Sequence, residues 1–188
     1  MPELAKIRVQ TGDGIAVHHY PDQFALQEFS SFKRLIVGPS DDQVGLAIEC
    51  AQLLNGPFRF SYVLAEPVPL DGFSMGRFEM LAMLDITQLE GILSKNKRFF
   101  ELDARHHLWI AAKDGVIVYD QHNVLFLYGP LMDFEQILLA RGLTPGPVEF
   151  PYPHTHYYHD EFNPDMIELL GTGDWKWQSL DDHQDVYR

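Results

Sequence analysis

Histidines and carboxylates are concentrated in one short stretch of this chain. Three of the nine histidines, His154, His156 and His159, lie within six residues, and Asp160 and Glu161 follow directly. Imidazole nitrogens and carboxylate oxygens are common ligands of zinc and related transition metals. The stretch therefore predicts a divalent transition metal site with His154, His156, His159 and Glu161 as ligands. Asp160 or Glu161 is also a candidate general base for a metal-bound water.

The backbone conformation of this stretch decides which side chains converge, and the sequence leaves it open. In an extended segment, His154 and His156 point to the same face because side chains repeat every two residues. In a helical turn, His156 shares a face with His159 and with Asp160. The alternative is that these histidines, which tyrosines and prolines surround, are structural or contact a partner.

A second group of polar residues is expected at one end of a predicted antiparallel sheet. His107 lies on a predicted strand, close in sequence to Asp103 and Arg105. A predicted turn contributes Asp120, His122 and Asn123. These residues give a second candidate site, and the alternative is that the histidines are simply packed or solvated.

Several common functional templates are absent from the sequence. It contains no Gly-x-Gly-x-x-Gly, no phosphate loop, no Gly-x-Ser-x-Gly and no His-Glu-x-x-His. Nucleotide binding, α/β-hydrolase chemistry and the common zinc protease arrangement therefore have no support. Cys50 lies within an apolar helical pattern and is expected to be an inert core residue.

The charge of the chain restricts its partners. With 14 Lys and Arg against 27 Asp and Glu, the net charge is −13, which disfavours nucleic acids and anionic membranes. Residues 160–188 carry eight acidic and two basic residues. This acidic region predicts a docking surface for a basic protein partner, with Trp175, Trp177, Asp181 and Asp182 as contact residues. The alternative is a solvated tail and tryptophans that cover the domain.

These features give two functional hypotheses. The first is a non-enzymatic binding module that holds a basic protein partner, as inhibitor or immunity proteins do, and it follows from the charge and from the lack of a complete catalytic set. The second is a metal-binding protein or metal-dependent hydrolase that uses the cluster of histidines and carboxylates.

Length and composition predict one folded domain. The chain has 188 residues, of which 46% are hydrophobic and 13% aromatic. We expect a single domain at residues 1–170 and an acidic, tryptophan-containing tail at residues 171–188. The single cysteine, Cys50, and the lack of a secretory signal predict a cytoplasmic protein. The oligomeric state does not follow from the sequence.

Local patterns predict the first half of the fold. Alternating apolar residues predict strands at residues 7–9, 15–19, 58–64 and 76–84, and a short apolar run predicts one at 34–38. Residues 76–84 also contain helix-forming residues, and a helix is the alternative there. A helix is expected after Ser40, which with Gln43 matches a capping box, and another after Asp85, which matches an N-cap. The unit at residues 34–64 is expected to add one parallel strand pair.

The second half is predicted to be a β-meander at residues 99–128 followed by helices. Its strands are expected at residues 99–103, 107–112, 116–119 and 124–128. One helix is predicted after Pro130 and a short one at residues 164–170. Because strands outnumber helices and hairpins dominate, the predicted fold class is α+β, with a mainly antiparallel sheet packed by two to four helices.

Overall fold

The computed structural model of the protein describes residues 3–68, 70 and 72–180. Within these residues the strands are β1 (Ile7–Thr11), β2 (Gly14–Val17), β3 (Gln23–Glu28), β4 (Lys33–Gly38), β5 (Arg59–Leu64), β6 (Gly76–Met80), β7 (His106–Ala111), β8 (Val116–Tyr119), β9 (Leu125–Tyr128), β10 (Thr144–Pro145), β11 (His154–His156) and β12 (Trp175–Gln178). The helices are α1 (Gln43–Gln52), α2 (Ile86–Lys95), α3 (Lys97–Leu102), α4 (Leu131–Ala140) and α5 (Asn163–Gly171).

A nine-stranded sheet forms the body of the protein, in the order β10-β3-β4-β9-β8-β7-β5-β6-β12. All neighbours pair antiparallel except β10 and β3. The predicted α+β class with a mainly antiparallel sheet is therefore confirmed. The predicted parallel pair within residues 34–64 is wrong, because the hairpin-linked strands β7, β8 and β9 insert between β4 and β5.

The helices cover one face of this sheet and bury the main core. Alternate side chains of the central strands, such as Ile110 and Ile117, pack with Cys50 of α1 and Phe134 of α4. The opposite face carries a smaller apolar cluster of Tyr20, Ile36, Val118, Val124 and Phe126. Because successive side chains of a strand point to opposite faces, the central strands supply buried residues to both clusters.

The first predicted strand of the meander is wrong, because these residues form helix α3. Phe99 and Phe100 are both buried, whereas neighbouring side chains of a strand point to opposite faces. In the helix both rings pack against the buried ring of His106. The remaining three meander strands are confirmed as β7, β8 and β9.

The two predicted helix starts have different outcomes. The capping box of Asp85 and Gln88 at α2 is complete, and the Gln88 backbone N–H donates to Asp85 Oδ1 at 2.8 Å. The capping box expected from Ser40 and Gln43 is wrong. Helix α1 begins at Gln43 after Asp42, which has a positive φ of 49° and makes no side-chain cap. Gln43 instead donates to the carbonyl oxygen of Pro39 at 3.2 Å.

A second, three-stranded sheet has the order β11-β1-β2. Strands β1 and β2 form the predicted hairpin, and β11 pairs antiparallel with β1 so that Ile7 faces His156 and Val9 faces His154. The histidine-rich stretch is thus extended from His154 to His156. It then passes into a 3-10 turn at Asp160–Phe162 that leads into α5.

The sheet edge formed by β12 contains part of the predicted tail. Trp175 pairs with Met80 and Trp177 with Phe78 of β6. Asp181 and Asp182 lie outside the described residues. Among the described residues, no helix is long and apolar enough to cross a membrane.

Candidate metal centre

Three histidine rings meet where the small sheet lies against the end of β8. One ligand atom each of His122, His154 and His156 lies within 4.8 Å of the other two. The ring centroids are 4.6 Å apart for His122 and His156, 5.0 Å for His154 and His156, and 5.1 Å for His122 and His154. The rings therefore form a nearly equilateral triangle, and each is half-buried.

The small sheet contributes two of the three rings, and a turn of the large sheet contributes the third. His154 and His156 are two residues apart on β11, so the strand period places both rings on one face. His122 lies in the turn between β8 and β9, where Asn123 has a positive φ of 60° and donates its N–H to the Asp120 carbonyl at 3.1 Å. This tight turn reverses the chain direction from β8 to β9 and places the His122 ring beside His154 and His156 of β11.

A buried carboxylate orients His122. Asp120 is 3% exposed, and its Oδ1 accepts the backbone N–H of His122 at 2.7 Å and lies 2.5 Å from His122 Nδ1. Its Oδ2 lies 3.1 Å from Nδ1 of His107. Burial raises the pKa of Asp120, but the neighbouring His107 and His122 rings outweigh burial and hold the pKa well below its usual value. The ionised carboxylate thus fixes Nδ1–H of His122 and leaves Nε2 to bind a ligand.

The other two rings each leave one nitrogen available to a metal ion. His154 Nδ1 lies 2.6 Å from the carbonyl oxygen of Pro151, which leaves Nε2 as a ligand atom. His156 Nε2 is buried and has no hydrogen-bond partner among the described residues. Burial, with smaller contributions from His122 and His154, lowers the pKa of His156 to about 4. The His156 ring is therefore neutral at pH 7, the form that binds metals.

The donor set fits a borderline-soft divalent metal ion with one open coordination position. Three imidazole ligands suit zinc, copper, iron or nickel, and catalytic zinc sites in particular combine three protein ligands with a water. Nitrogens on one tetrahedral zinc are roughly 3.3 Å apart, given zinc–nitrogen bonds of about 2.0–2.1 Å. With ligand atoms up to 4.8 Å apart, the rings would close on the ion by small side-chain rotations.

The structure brings together His154 and His156 of the four predicted ligands and places the other two elsewhere. His159 Nε2 lies 3.1 Å from the carbonyl oxygen of Ala5. Glu161 pairs with Arg98 at 2.8 Å. The reason is the hydrogen bond from Tyr157 N–H to the Lys6 carbonyl, after which the chain turns away from β11.

His122, the third member of the triangle, is not in the set of ligands predicted at residues 154–161. The signal for it is the Asp-x-His-Asn turn at residues 120–123, which the sequence marks as part of a separate candidate site. The pairing of β11 with β1 joins these two candidates, and the sequence contains no local indication of it.

The predicted partner-contacting tryptophans have different environments. Trp175 is half-buried, and its ring packs 6.1 Å from that of Phe60. Trp177 lies on the edge strand β12 and is 49% exposed. Of the two, Trp177 is therefore the more accessible to a partner.

Comparison with known proteins finds no matching protein family, no similar curated protein and no similar solved structure. The function must therefore be inferred from the chemistry of the site itself.

Proposed function

We propose that this protein binds a divalent transition metal ion, with zinc the first choice, through His122, His154 and His156. The convergence of these three rings from two different sheets carries the proposal. Hydrogen-bond acceptors at Nδ1 of His122 and His154 support it, because such acceptors fix the orientation and tautomer of metal-binding histidines. Zinc suits the site because it accepts tetrahedral nitrogen coordination and needs no redox partner.

Three protein ligands leave a coordination position for water, which favours a catalytic over a closed structural site. A zinc ion there would lower the pKa of a bound water to about 7 and so supply hydroxide for hydrolysis. The residues of the chain have supporting roles: Asp120 holds the His122 ring in place, and the ring of Phe150 lies 4.8 Å from that of His122 and shields its side. Metal-dependent hydrolysis is the activity to screen for.

The proposal is tested by metal content and metal titration. Tag-free protein purified without added metal is analysed for its elements, and metal-free protein is titrated with zinc in a calorimeter. The wild type should bind zinc stoichiometrically, and His122→Ala and the double variant His154→Ala/His156→Ala should not. His19→Ala, which changes an exposed histidine outside the triangle, is the matched control.

The variant His122→Ala is decisive because residues 154–161 alone do not predict this ligand. Zinc binding that survives His122→Ala, or a wild type that binds none, contradicts the proposal. His159→Ala separates the two ligand sets: it should keep zinc if the triangle is the site. Circular dichroism checks that each variant is folded.

A second proposal is a docking surface for a basic protein partner. The net charge of −13 and the exposed ring of Trp177 on an edge strand support it. Affinity capture by the wild type, compared with Trp177→Ser, tests it. A basic protein retained at low salt by the wild type and lost by Trp177→Ser would support this role, and equal capture by both would contradict it.

A further inference from the structure

The two edges of the nine-stranded sheet differ in how well they are protected against further pairing. An edge strand presents unpaired backbone N–H and C=O groups to any other strand that approaches. At one edge, β10 has only two residues, and one of them is Pro145, which has no N–H to donate. At the other edge, β12 has four residues and no proline, and within the described residues it pairs only with β6. The β12 edge is therefore the one that can accept another strand.

The ladder between β12 and β6 shows which backbone groups face outward. Asp174 lies opposite Leu81, whose N–H donates to the Asp174 carbonyl oxygen at 2.9 Å. Along an antiparallel pair, residues that exchange hydrogen bonds with their opposite neighbour alternate with residues that do not. Asp174 and Lys176 therefore direct their backbone groups towards β6. Trp175 and Trp177 direct theirs to the outer edge, where an added strand would bond to them.

The charges along this edge complement themselves. Asp174 and Lys176 are both exposed, and they lie on the same face of the sheet, one on each side of Trp175. When two copies pair antiparallel with Trp175 at the two-fold axis, each Asp174 lies opposite Lys176 of the second copy. The outward N–H and C=O groups of Trp175 are then paired as well. A two-fold axis makes the same contact twice, as in most homodimers.

Other registers of the same pairing lack this charge match. A shift of two residues places Lys176 opposite Lys176 of the second copy, and like charges directly opposite each other are unfavourable. A shift of four residues places Lys176 opposite Gln178, which carries no charge. The register with Trp175 at the axis is therefore the one that the charges favour.

The apolar face of the edge has room for a second copy in this register. Trp177 is 49% exposed, and its ring packs against Gly76 of β6, where a Cβ atom would lie 2.2 Å from Nε1. Its opposite neighbour would be Gly173 of the second copy, which has no side chain to collide with the ring. Gly173 has a positive φ of 121°, a conformation that favours glycine. The pairing would thus cover an exposed aromatic ring.

We propose that two copies of this protein form a dimer through β12, so that their two large sheets join into one continuous sheet. The self-complementary charges of Asp174 and Lys176 favour a second copy as the partner. The inference goes beyond metal binding and does not depend on it, since β7, β5 and β6 separate β12 from the strand that precedes His122. Because the dimer would cover Trp177, a basic partner could reach that ring only in the monomer.

Sedimentation velocity over a range of protein concentrations tests the proposal. One short strand per copy makes a small interface, so the series should extend to about 1 mM. The wild type should shift from monomer to dimer as its concentration rises. Lys176→Asp gives the edge two acids and Asp174→Lys gives it two bases, so both pairs of facing charges become repulsive. Each single variant should raise the dimer dissociation constant about tenfold or more.

A mixture of the two single variants distinguishes this register from any other contact. The acidic edge of Lys176→Asp matches the basic edge of Asp174→Lys, so an equimolar mixture should form the dimer that neither variant forms well alone. The double variant Asp174→Lys/Lys176→Asp should dimerise like the wild type. These recoveries also show that the variants are folded. Lys113→Asp, an exposed charge reversal in the β7–β8 turn, controls for net charge and should leave the dimer unchanged.

Three results would overturn the proposal. They are a wild type that stays monomeric over the whole series, single variants that dimerise like the wild type, and a mixture that dimerises no better than its components. Zinc titration of the single variants should match that of the wild type, so the proposed dimer and the proposed metal site can fail independently.

Discussion

Two buried polar clusters of this protein differ in how completely their atoms are paired. In the first, Asp103 and Arg105 are 0% and 2% exposed and form two side-chain hydrogen bonds of 2.7 and 2.8 Å. Two further guanidinium hydrogens reach Asn163 Oδ1 at 2.7 Å and the His159 carbonyl at 3.0 Å. The backbone N–H of His159 donates to Asp103 at 2.9 Å. Both charged groups of this cluster are therefore paired with each other and with further groups among the described residues.

The second cluster, around Asp120, is incomplete. Its carboxylate lies within ion-pair distance of His107 and His122. Within the described residues, however, His156 Nε2 and His107 Nδ1 have no hydrogen-bond partner, and no carboxylate lies within ion-pair distance of Lys6. The difference indicates separate roles. A fully paired buried network specifies structure, whereas a cluster with unpaired buried groups leaves interactions for water or a ligand to make. The paired cluster also holds the chain after β11, so it helps to position the proposed ligands His154 and His156.

The largest expected effect comes from breaking the complete cluster. Arg105→Met leaves the buried carboxylate of Asp103 without a charge partner and should lower the free energy of unfolding by about 3–5 kcal/mol. Urea denaturation measures this effect. Arg98→Met is the control, since Arg98 pairs with Glu161 on the surface and should lose less than about 1 kcal/mol. Equal losses in both variants would contradict the assigned difference between the clusters.

Filling the incomplete cluster should stabilise the protein. With free zinc at about 100 times its dissociation constant, the free energy of unfolding should rise by about 2.7 kcal/mol, because zinc binds only the folded arrangement of both sheets. For a chain of this size, that corresponds to a rise in melting temperature of about 5–10 °C. Differential scanning calorimetry with and without zinc measures it. A zinc-induced shift of the same size in His122→Ala would mean that the ion binds elsewhere.

Weakening the carboxylate behind His122 should have a smaller effect. Asp120→Asn keeps the side-chain shape but removes the charge that orients the His122 ring, so zinc affinity should fall about 10–100-fold. Calorimetric titration measures the affinity. Asp13→Asn, an exposed change in the β1–β2 turn, should leave it unchanged. An unchanged affinity in Asp120→Asn would show that Asp120 does not position the ligand.

The smallest effect concerns a histidine that is buried but lies outside both clusters. Burial, with Lys6, His107 and Arg105 adding to it, lowers the pKa of His106 well below its usual value. The unfolded chain therefore binds a proton below about pH 6.5 that the folded protein does not, and stability falls as pH decreases below that value.

The variant His106→Phe isolates this contribution. Phenylalanine suits the aromatic surroundings of Tyr62, Phe99 and Phe100 and cannot be protonated. Between pH 6.5 and 5, its free energy of unfolding should fall less steeply than that of the wild type, by up to about 1.4 kcal/mol per pH unit. Urea denaturation at several pH values measures the slope. Parallel slopes would mean that His106 is protonated in the folded state.

Much of the local structure was accessible from sequence patterns, because short-range periodicity and caps specify it. Strand β8 agrees at both ends with the predicted 116–119, and the N-cap of α2 lies at Asp85. Strand β3 is not among the predicted strands, although Phe24 and Leu26 alternate with other residues. The apolar alternation there is short, since it includes only Phe24 and Leu26. In the structure Phe24 is buried, whereas Leu26 is 52% exposed.

For the candidate site, the sequence alone determined the residue types and the shared face of one pair, His154 and His156. His154 and His156 share a face wherever the chain is extended, since that follows from the strand period. Residues 120–123 likewise form a turn from their composition. The amino-acid sequence also determined the strongly acidic charge and the α+β class, which depend on composition and on local patterns.

Only the tertiary structure decided that His122 meets His154 and His156, and that His159 and Glu161 do not. These contacts depend on the pairing of β11 with β1, strands separated by more than a hundred residues of chain, and on the packing of that small sheet against the end of β8. Pairing between distant strands is governed by the burial of whole faces and not by any local pattern. The same packing buries Lys6 against the ring of Tyr119, whereas in the sequence it is an ordinary lysine before the first strand.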